Sequence, residues 1–122
     1  MKKELIETYK QKVEAAENLE FDIANINNEL DELYESMKAI ESVVFMDVLN
    51  ALDGEQKPLY SNEAKREAAK DRILREDKGY LDKKLKATTK EKNKKIQMAK
   101  LAGAVHWLKF YFSLCRLGDL DD

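Results

Sequence analysis

A repeating pattern of apolar residues in the first third of the chain constrains the fold more than any other feature. The repeat places one apolar stripe along a helix, because a step of 3.5 residues nearly matches the 3.6 residues of an α-helical turn. We therefore predict one long helix with this stripe, the heptad seam, packed against other helices. The seam consists of Ala16, Leu19, Ile23, Ile26, Leu30, Leu33, Met37, Ile40 and Val44.

The rest of the chain predicts two further helices. Asp53, Gly54 and Pro58 interrupt the helical pattern, with Gly54 predicted as the left-handed residue that ends the first helix. Ser61 is the predicted N-cap of the next helix. The predicted segments are a long helix at about 3–52, a connector at 53–61, a short helix at about 62–75, a long helix at about 80–117 and a frayed tail at 118–122. The fold class is all-α: a single helical domain, residues 1–122, in which two long helices form an antiparallel hairpin with a short cross-helix.

Composition agrees with helices and limits the location of the protein. Four Gly and one Pro among 122 residues leave few helix breaks. The basic start meets Glu4 and Glu7 where a signal peptide needs an apolar region, and no apolar run reaches the roughly 18 residues of a membrane span. The single cysteine, Cys115, agrees with a reducing compartment. We therefore expect a cytoplasmic protein that does not contact a membrane.

Charge is divided unevenly along the chain. Residues 1–56 hold five Lys against fourteen Asp and Glu, whereas residues 57–100 hold fifteen Lys and Arg against seven acidic residues. If the last helix folds back on the first, these charges face each other and favour antiparallel pairing. The alternative is that a lysine stripe contacts the phosphates of a nucleic acid; its residues would be Lys83, Lys84, Lys86, Lys90, Lys94 and Lys95. Helix pairing is favoured, because the stripe lacks the interleaved aromatic residues and arginines that stack on bases or hold phosphate in two bonds.

The residue types that most often carry catalysis do not form a site in this sequence. His106, the only histidine, lies between Val105 and Trp107, and no nucleophile or carboxylate stands at a spacing that marks a site, so a structural role is favoured for it. Cys115 lies among apolar neighbours and is predicted to be a small buried residue. No Glu-x-x-His pair, zinc-type cysteine spacing or glycine-rich phosphate loop is present. We therefore predict a protein that is not an enzyme and that uses no metal, cofactor or small-molecule ligand.

Apolar surface that one return helix cannot cover predicts a protein partner. Residues 81–95 offer few apolar side chains at the level of the heptad seam, and residues 107–112 are apolar on nearly every side. The seam therefore needs a second subunit or a target, with a homodimer as the favoured assembly. The residues predicted to form protein interfaces are Ile23, Ile26, Leu30, Leu33, Met37, Ile40, Trp107, Phe110 and Tyr111.

The segment after the first helix resembles one found in a group of small proteins. Residues 57–80 read KPLYSNEAKREAAKDRILREDKGY, in which a Leu-Tyr-Ser-Asn-Glu start leads into a basic short helix that ends near an acidic residue and a tyrosine. This is similar to a pattern in small uncharacterised coiled-coil proteins of phages and prophages. The resemblance implies a phage or mobile-element origin and an accessory role near recombination or host takeover, and it supplies no catalytic residues. We thus expect an inhibitor or accessory factor that binds and modulates a host or phage protein, with a nucleic-acid-associated accessory protein as the alternative.

Overall fold

Three helices make up most of the chain in the computed structural model, which describes the backbone of residues 2–121 and the side chains of residues 2–117. They are α1 (Lys2–Asn50), α2 (Glu63–Glu76) and α3 (Lys78–Asp121), and no strand occurs within the described residues beyond one isolated bridge. The protein is an all-α helical hairpin, as the sequence predicts. α3 begins two residues before the predicted start, and it continues to Asp121 through most of the predicted frayed tail, because nothing between residues 117 and 121 forces the helix to end.

The described chain divides into two compact units, whereas the sequence predicts a single domain. Unit 1 comprises Met1–Asn28 and Glu91–Asp122, and unit 2 comprises Glu29–Lys90. The boundary falls inside both long helices, where neither Gly nor Pro marks it. Sequence composition therefore gives no sign of the division.

The core of unit 2 lies where α2 packs against the end of α1. The buried residues of this core are Val44, Val48, Ala69 and Leu74, and the half-buried residues packed against it are Ile40, Tyr60, Ile73 and Tyr80. Val44 ends the heptad seam and Val48 follows it by one helical turn, so a single stripe of α1 supplies its side of the core. On α2, the small side chain of Ala69 allows the two helices to approach closely.

A short hairpin joins α1 to α2. Leu52 and Pro58 form an isolated antiparallel bridge, and the Leu59 N–H donates to the Ala51 carbonyl at 2.9 Å. These bonds take the backbone of residues 51 and 52 out of the helix. α1 therefore ends at Asn50, two residues before the predicted end.

The tip of this hairpin is a tight turn closed by Asp53. The Gln56 N–H donates to the Asp53 carbonyl at 3.2 Å, and the Asp53 N–H donates to the Lys57 carbonyl at 2.8 Å. The Asp53 carboxylate also accepts the N–H groups of Glu55 at 2.8 Å and Lys57 at 3.0 Å. The left-handed residue of the turn is Gln56, with φ 64°, and the prediction that Gly54 has this conformation is wrong. A three-residue hairpin loop takes left-handed backbone at its third residue. Between the paired residues Asp53 and Lys57, that third residue is Gln56.

Two polar side chains set the ends of α2. The Asn62 side chain accepts the Lys65 N–H at 2.9 Å, so Asn62 is the N-cap of α2. The prediction that Ser61 is the N-cap is wrong. Asp77 ends α2 with extended backbone, and its carboxylate accepts the Tyr80 N–H at 2.8 Å in the first turn of α3. One residue thus separates the two helices and caps both of them.

In unit 2 the chain itself covers the heptad seam. Leu30 is 3% exposed although the return helix offers few apolar residues at this level. On α3, Ala87 is also 3% exposed, and Lys83 and Lys90 are half-buried. These two lysines lie about one helical turn before and after Ala87. Lysine can place its aliphatic stem on apolar surface while its ammonium group stays in water. The burial of Ala87 and the half burial of Lys83 and Lys90 agree with cover of the seam at Leu30 by α3 of the same chain.

Replacing the seam residue Leu30→Ala should lower the free energy of unfolding by about 2–5 kcal/mol, because the change removes buried methyl groups and leaves a cavity. The matched control is Leu85→Ala, since Leu85 is exposed on α3 and its truncation should change stability by no more than about 0.5 kcal/mol. Urea denaturation followed by circular dichroism measures both. Equal losses for the two variants would contradict the burial of the seam.

The turn at residue 56 gives a second stability prediction. A left-handed conformation costs a residue with a Cβ about 1–2 kcal/mol, and glycine avoids this cost but loses more entropy on folding. Gln56→Gly should therefore raise the free energy of unfolding by about 0.5–1 kcal/mol, whereas Gln56→Ala should bring no gain because alanine keeps the Cβ. Thermal denaturation of the two variants side by side tests this, and equal melting temperatures would show that the left-handed turn is not formed.

Candidate protein interface

Three residues predicted as interface residues form an aromatic cluster on α3 in unit 1. The ring centroids of Trp107 and Phe110 are 5.6 Å apart with the planes at 83°, and those of Phe110 and Tyr111 are 5.7 Å apart at 70°. Trp107 and Tyr111 are 6.3 Å apart at 41°. Because the spacings of three and four residues bring side chains together on a helix, the helix itself assembles the cluster. Edge-to-face pairs of this kind contribute about 0.5–1.5 kcal/mol beyond their buried area, so the cluster holds the rings in place.

The cluster is open to solvent on one side. Trp107 is 52% exposed and Phe110 is 49% exposed, while Tyr111 is half-buried. Tyr111 belongs to the inner face of α3, whose half-buried residues recur at heptad spacing: Leu101, Ala104, Leu108, Tyr111 and Cys115. Trp107 and Phe110 lie beside this inner face and not on it. We call the surface around them the Trp107 face, which consists of the exposed residues Ile96, Gly103, Trp107 and Phe110 and the half-buried Leu114.

The centre of the Trp107 face has no side chain. A Cβ added at Gly103 would meet no atom within 4 Å, so the fold of the chain does not require glycine here. Glycine inside a helix costs roughly 0.5–1 kcal/mol relative to alanine. Gly103 therefore leaves the position between Ile96 and Phe110 without a side chain.

The charges around this face have one sign. No Asp or Glu occurs between Glu91 and Asp119, whereas the same stretch contains six basic residues. These are Lys92, Lys94, Lys95, Lys100, Lys109 and Arg116. The charged residues that α3 itself contributes around the aromatic cluster are therefore basic along the described length of the face.

The other predicted interface residues lie in the heptad seam, and the structure leaves them little surface. Ile26 and Leu30 are buried, and Ile23, Leu33, Met37 and Ile40 are half-buried. A fully buried side chain contributes almost no area to a partner. Of the two predicted interface groups, only the aromatic group reaches the surface with large side chains.

The lysines predicted as an alternative phosphate-binding stripe do not lie on one face. Lys83, Lys90 and Lys94 are half-buried, whereas Lys84, Lys86 and Lys95 are exposed. Lys90 forms an ion pair and hydrogen bond with Glu29 of α1 in unit 2, which is a pair between the acidic and basic helices of the kind the charge division predicts. Lys86 pairs with Asp82 of the same helix at 3.1 Å.

Neither residue considered for catalysis has catalytic surroundings. His106 is exposed, and its ring stands 6.3 Å from that of Trp107, outside the inner face. Cys115 is a free, half-buried cysteine. Among the residues with described side chains, no three His, Cys, Asp or Glu residues are grouped to hold a metal ion. The described helices contain no stretch with the length and apolar character needed to cross a membrane.

An open cavity on the outer side of α2 was not predicted from the sequence. It has a volume of about 770 Å³. Arg72 donates to the Tyr60 hydroxyl at 3.2 Å, which fixes its guanidinium group at the edge. The feature of the sequence that could have indicated this cavity is the concentration of arginine in α2, which contains three of the four arginines. The lining residues are Leu59, Tyr60, Lys65, Ala68, Ala69, Arg72, Arg75 and Glu76.

A partly buried hydrogen bond links α1 to the first turn of α3 in unit 2. The Tyr80 hydroxyl donates to the Glu41 carboxylate at 2.8 Å. Burial raises the pKa of Tyr80 above its usual 10.0, and the hydrogen bond to Glu41 and the negative charges of Glu41 and Asp71 raise the pKa further. The neutral phenol is therefore the form that the folded protein stabilises.

In comparisons with known proteins, no protein-family model, curated protein or solved structure matches this chain. Its function is therefore inferred from its own residues.

Removing the hydroxyl group of Tyr80 gives a prediction that depends on pH. Tyr80→Phe should lower the free energy of unfolding by about 0.5–1.5 kcal/mol at neutral pH, the usual net value of a hydrogen bond. Because the folded-state pKa of Tyr80 lies above the unfolded value, this contribution is complete below pH 10.0 and is lost as the pH rises through the folded-state pKa. The stability gap between wild type and variant should therefore narrow above pH 10.0 in urea titrations. A gap that stays constant with pH would contradict the bond to Glu41.

Proposed function

We propose that this chain is a non-enzymatic protein-binding protein whose Trp107 face receives a helix of another protein. The observation that carries the proposal is the half exposure of Trp107 and Phe110, two large rings held in fixed orientation. Exposed tryptophan in a rigid setting is the residue type most often found at the energetic centre of an interface. An amphipathic helix laid along α3 would cover both rings and place a side chain over Gly103.

The charge of the surroundings defines the chemistry of the partner. The six basic residues between positions 92 and 116 would repel a basic helix and attract a helix with carboxylates along its flanks. The expected partner is therefore a helical segment with an apolar stripe and acidic flanks. Steering by these charges would raise the association rate at low salt more than it would raise the affinity.

The biological role rests on the resemblance of residues 57–80 to segments of phage and prophage proteins. We propose that the protein is an accessory factor or inhibitor from a phage or mobile element, and that it modulates a host or phage protein by binding it. A small helical protein without a catalytic constellation can act in this way, since occupying a partner's surface requires only a docking face.

Nucleic-acid binding is the alternative function, and fewer observations support it. The half-buried Lys90 is engaged with Glu29, and Lys86 is paired within its own helix. Exposed Lys84 and Lys95 remain for contacts with phosphate. Binding to DNA or RNA that weakens steeply from low to moderate salt would favour this alternative over the protein partner.

The test of the proposed function uses Trp107 as its own probe, because it is the only tryptophan. Proteins that bind the immobilised chain from host lysate are identified, and each candidate is purified and titrated against wild type while tryptophan emission is recorded. A true partner should shift the emission to shorter wavelength, since it covers the indole ring. The double variant Trp107→Ser/Phe110→Ser should lose affinity about 30-fold or more, the effect expected for hot-spot residues.

The control for this test is Phe21→Ser. Phe21 is an exposed aromatic residue of α1 and does not belong to the aromatic cluster, so this variant should bind the candidate as wild type does. If wild type and both variants retain the same proteins with the same affinity, or if the emission of Trp107 does not change, the Trp107 face is not the binding site.

A further inference from the structure

Unit 1 has a second exposed apolar surface, to which both of its helices contribute. On α3, Met98, Val105 and Phe112 recur at seven-residue spacing and are 51%, 40% and 54% exposed. On α1, Ile6 and Val13 have the same spacing; Ile6 is exposed and Val13 is half-buried. We call these five residues the Val105 face.

Heptad positions place this face on the opposite side of α3 from Trp107. The inner face of α3 includes positions 101, 104 and 108. Val105 comes directly after inner position 104, and Trp107 comes directly before inner position 108. In a heptad, these two kinds of position lie on opposite sides of the inner face. In an antiparallel helix pair, the flanking positions of α1 and α3 on one side lie next to each other. The ring contact of Tyr9 with Phe112, at 6.3 Å, brings the two helices together at this face.

The side of unit 1 that carries the Val105 face is large enough for a dimer. Residues 2–28 of α1 extend about 40 Å, and two adjacent helices are about 20 Å wide. The outline of this whole side, polar residues included, is therefore about 800 Å², comparable with what each partner contributes to a standard protein interface. The apolar rings and aliphatic groups of the Val105 face lie within this area.

Charge on the two helices is complementary in a way that a second copy can use. Residues 13–28 of α1 contain four acidic residues and no basic one, and residues 92–108 of α3 contain four lysines and no acidic residue. A two-fold axis parallel to the helices would set α1 of each copy antiparallel to α3 of the other. The dimer would then contain two equivalent contacts, each between the acidic segment of one copy and the basic segment of the other.

We propose that the Val105 face binds a second copy of this chain, and that unit 1 of the two copies forms an antiparallel four-helix bundle. The bundle covers Met98, Val105, Phe112, Ile6 and Val13 and leaves the Trp107 face outside. This assembly goes beyond the proposed function. The two faces share none of the residues that define them, although both charge arguments use the lysines between positions 92 and 100. A dimer would present two Trp107 faces to its partners.

Light scattering with size-exclusion chromatography tests the assembly. Wild type should have twice the chain mass of 14.1 kDa. Met98→Glu/Val105→Glu should have the mass of one chain, because both carboxylates would be buried against the acidic segment of α1. The matched control, Ile96→Glu/Phe110→Glu, adds the same charges at similarly exposed positions of the Trp107 face and should remain a dimer. A monomeric wild type over a concentration series, or dissociation of the control pair alone, would overturn the proposal.

A disulfide test covers the case in which the charged variants fail to fold. Two single-cysteine chains are mixed, one with Cys115→Ser/Val13→Cys and the other with Cys115→Ser/Val105→Cys, and are oxidised mildly. The proposed dimer sets α1 against α3 of the partner, so the disulfide between the two different chains should be the main product. Disulfides that join like chains in equal or greater yield, or no cross-link, would count against this arrangement.

Discussion

The structure depends on how the apolar stripe of α1 is covered by a helix with few apolar residues. Leu30 is nearly as buried as a core residue of a larger protein, and on α3 the facing set consists of a buried alanine with lysines on either side. A lysine stem can supply apolar contact, and the ammonium group of Lys90 pairs with Glu29 on the acidic flank of α1. A single side chain type can thus serve both burial and charge pairing. In unit 2 the heptad seam keeps only the partial exposure of Leu33, Met37 and Ile40.

The start of α3 determines which residues of α3 face the apolar stripe of α1. Asp77 is the only residue between α2 and α3, and it caps both helices. The bond from Tyr80 to Glu41 then ties the first turn of α3 to α1. Because an α-helix turns by a fixed angle per residue, fixing its first turn sets the direction of the side chains that follow. The short helix α2 is therefore important for more than its small core.

The surfaces that remain available lie where α3 becomes apolar on several sides. One helix can cover only one stripe, so Trp107 and Phe110 on one flank and Met98, Val105 and Phe112 on the other stay exposed. A protein with two such faces is suited to the self-association and the helix binding that we propose.

The sequence by itself determined the three helices, their order, the heptad seam and the aromatic segment, because periodicity and the spacing of helix breakers are local properties. Tertiary structure decided the rest. The left-handed residue is Gln56 and not Gly54 because hydrogen bonds across the hairpin select the position. His106 is exposed because α1 covers one stripe of α3 and residue 106 lies off it. Leu30 is buried within the chain although α3 offers few apolar residues at its level, because lysines can cover apolar surface with their stems, which a count of apolar residues does not reveal.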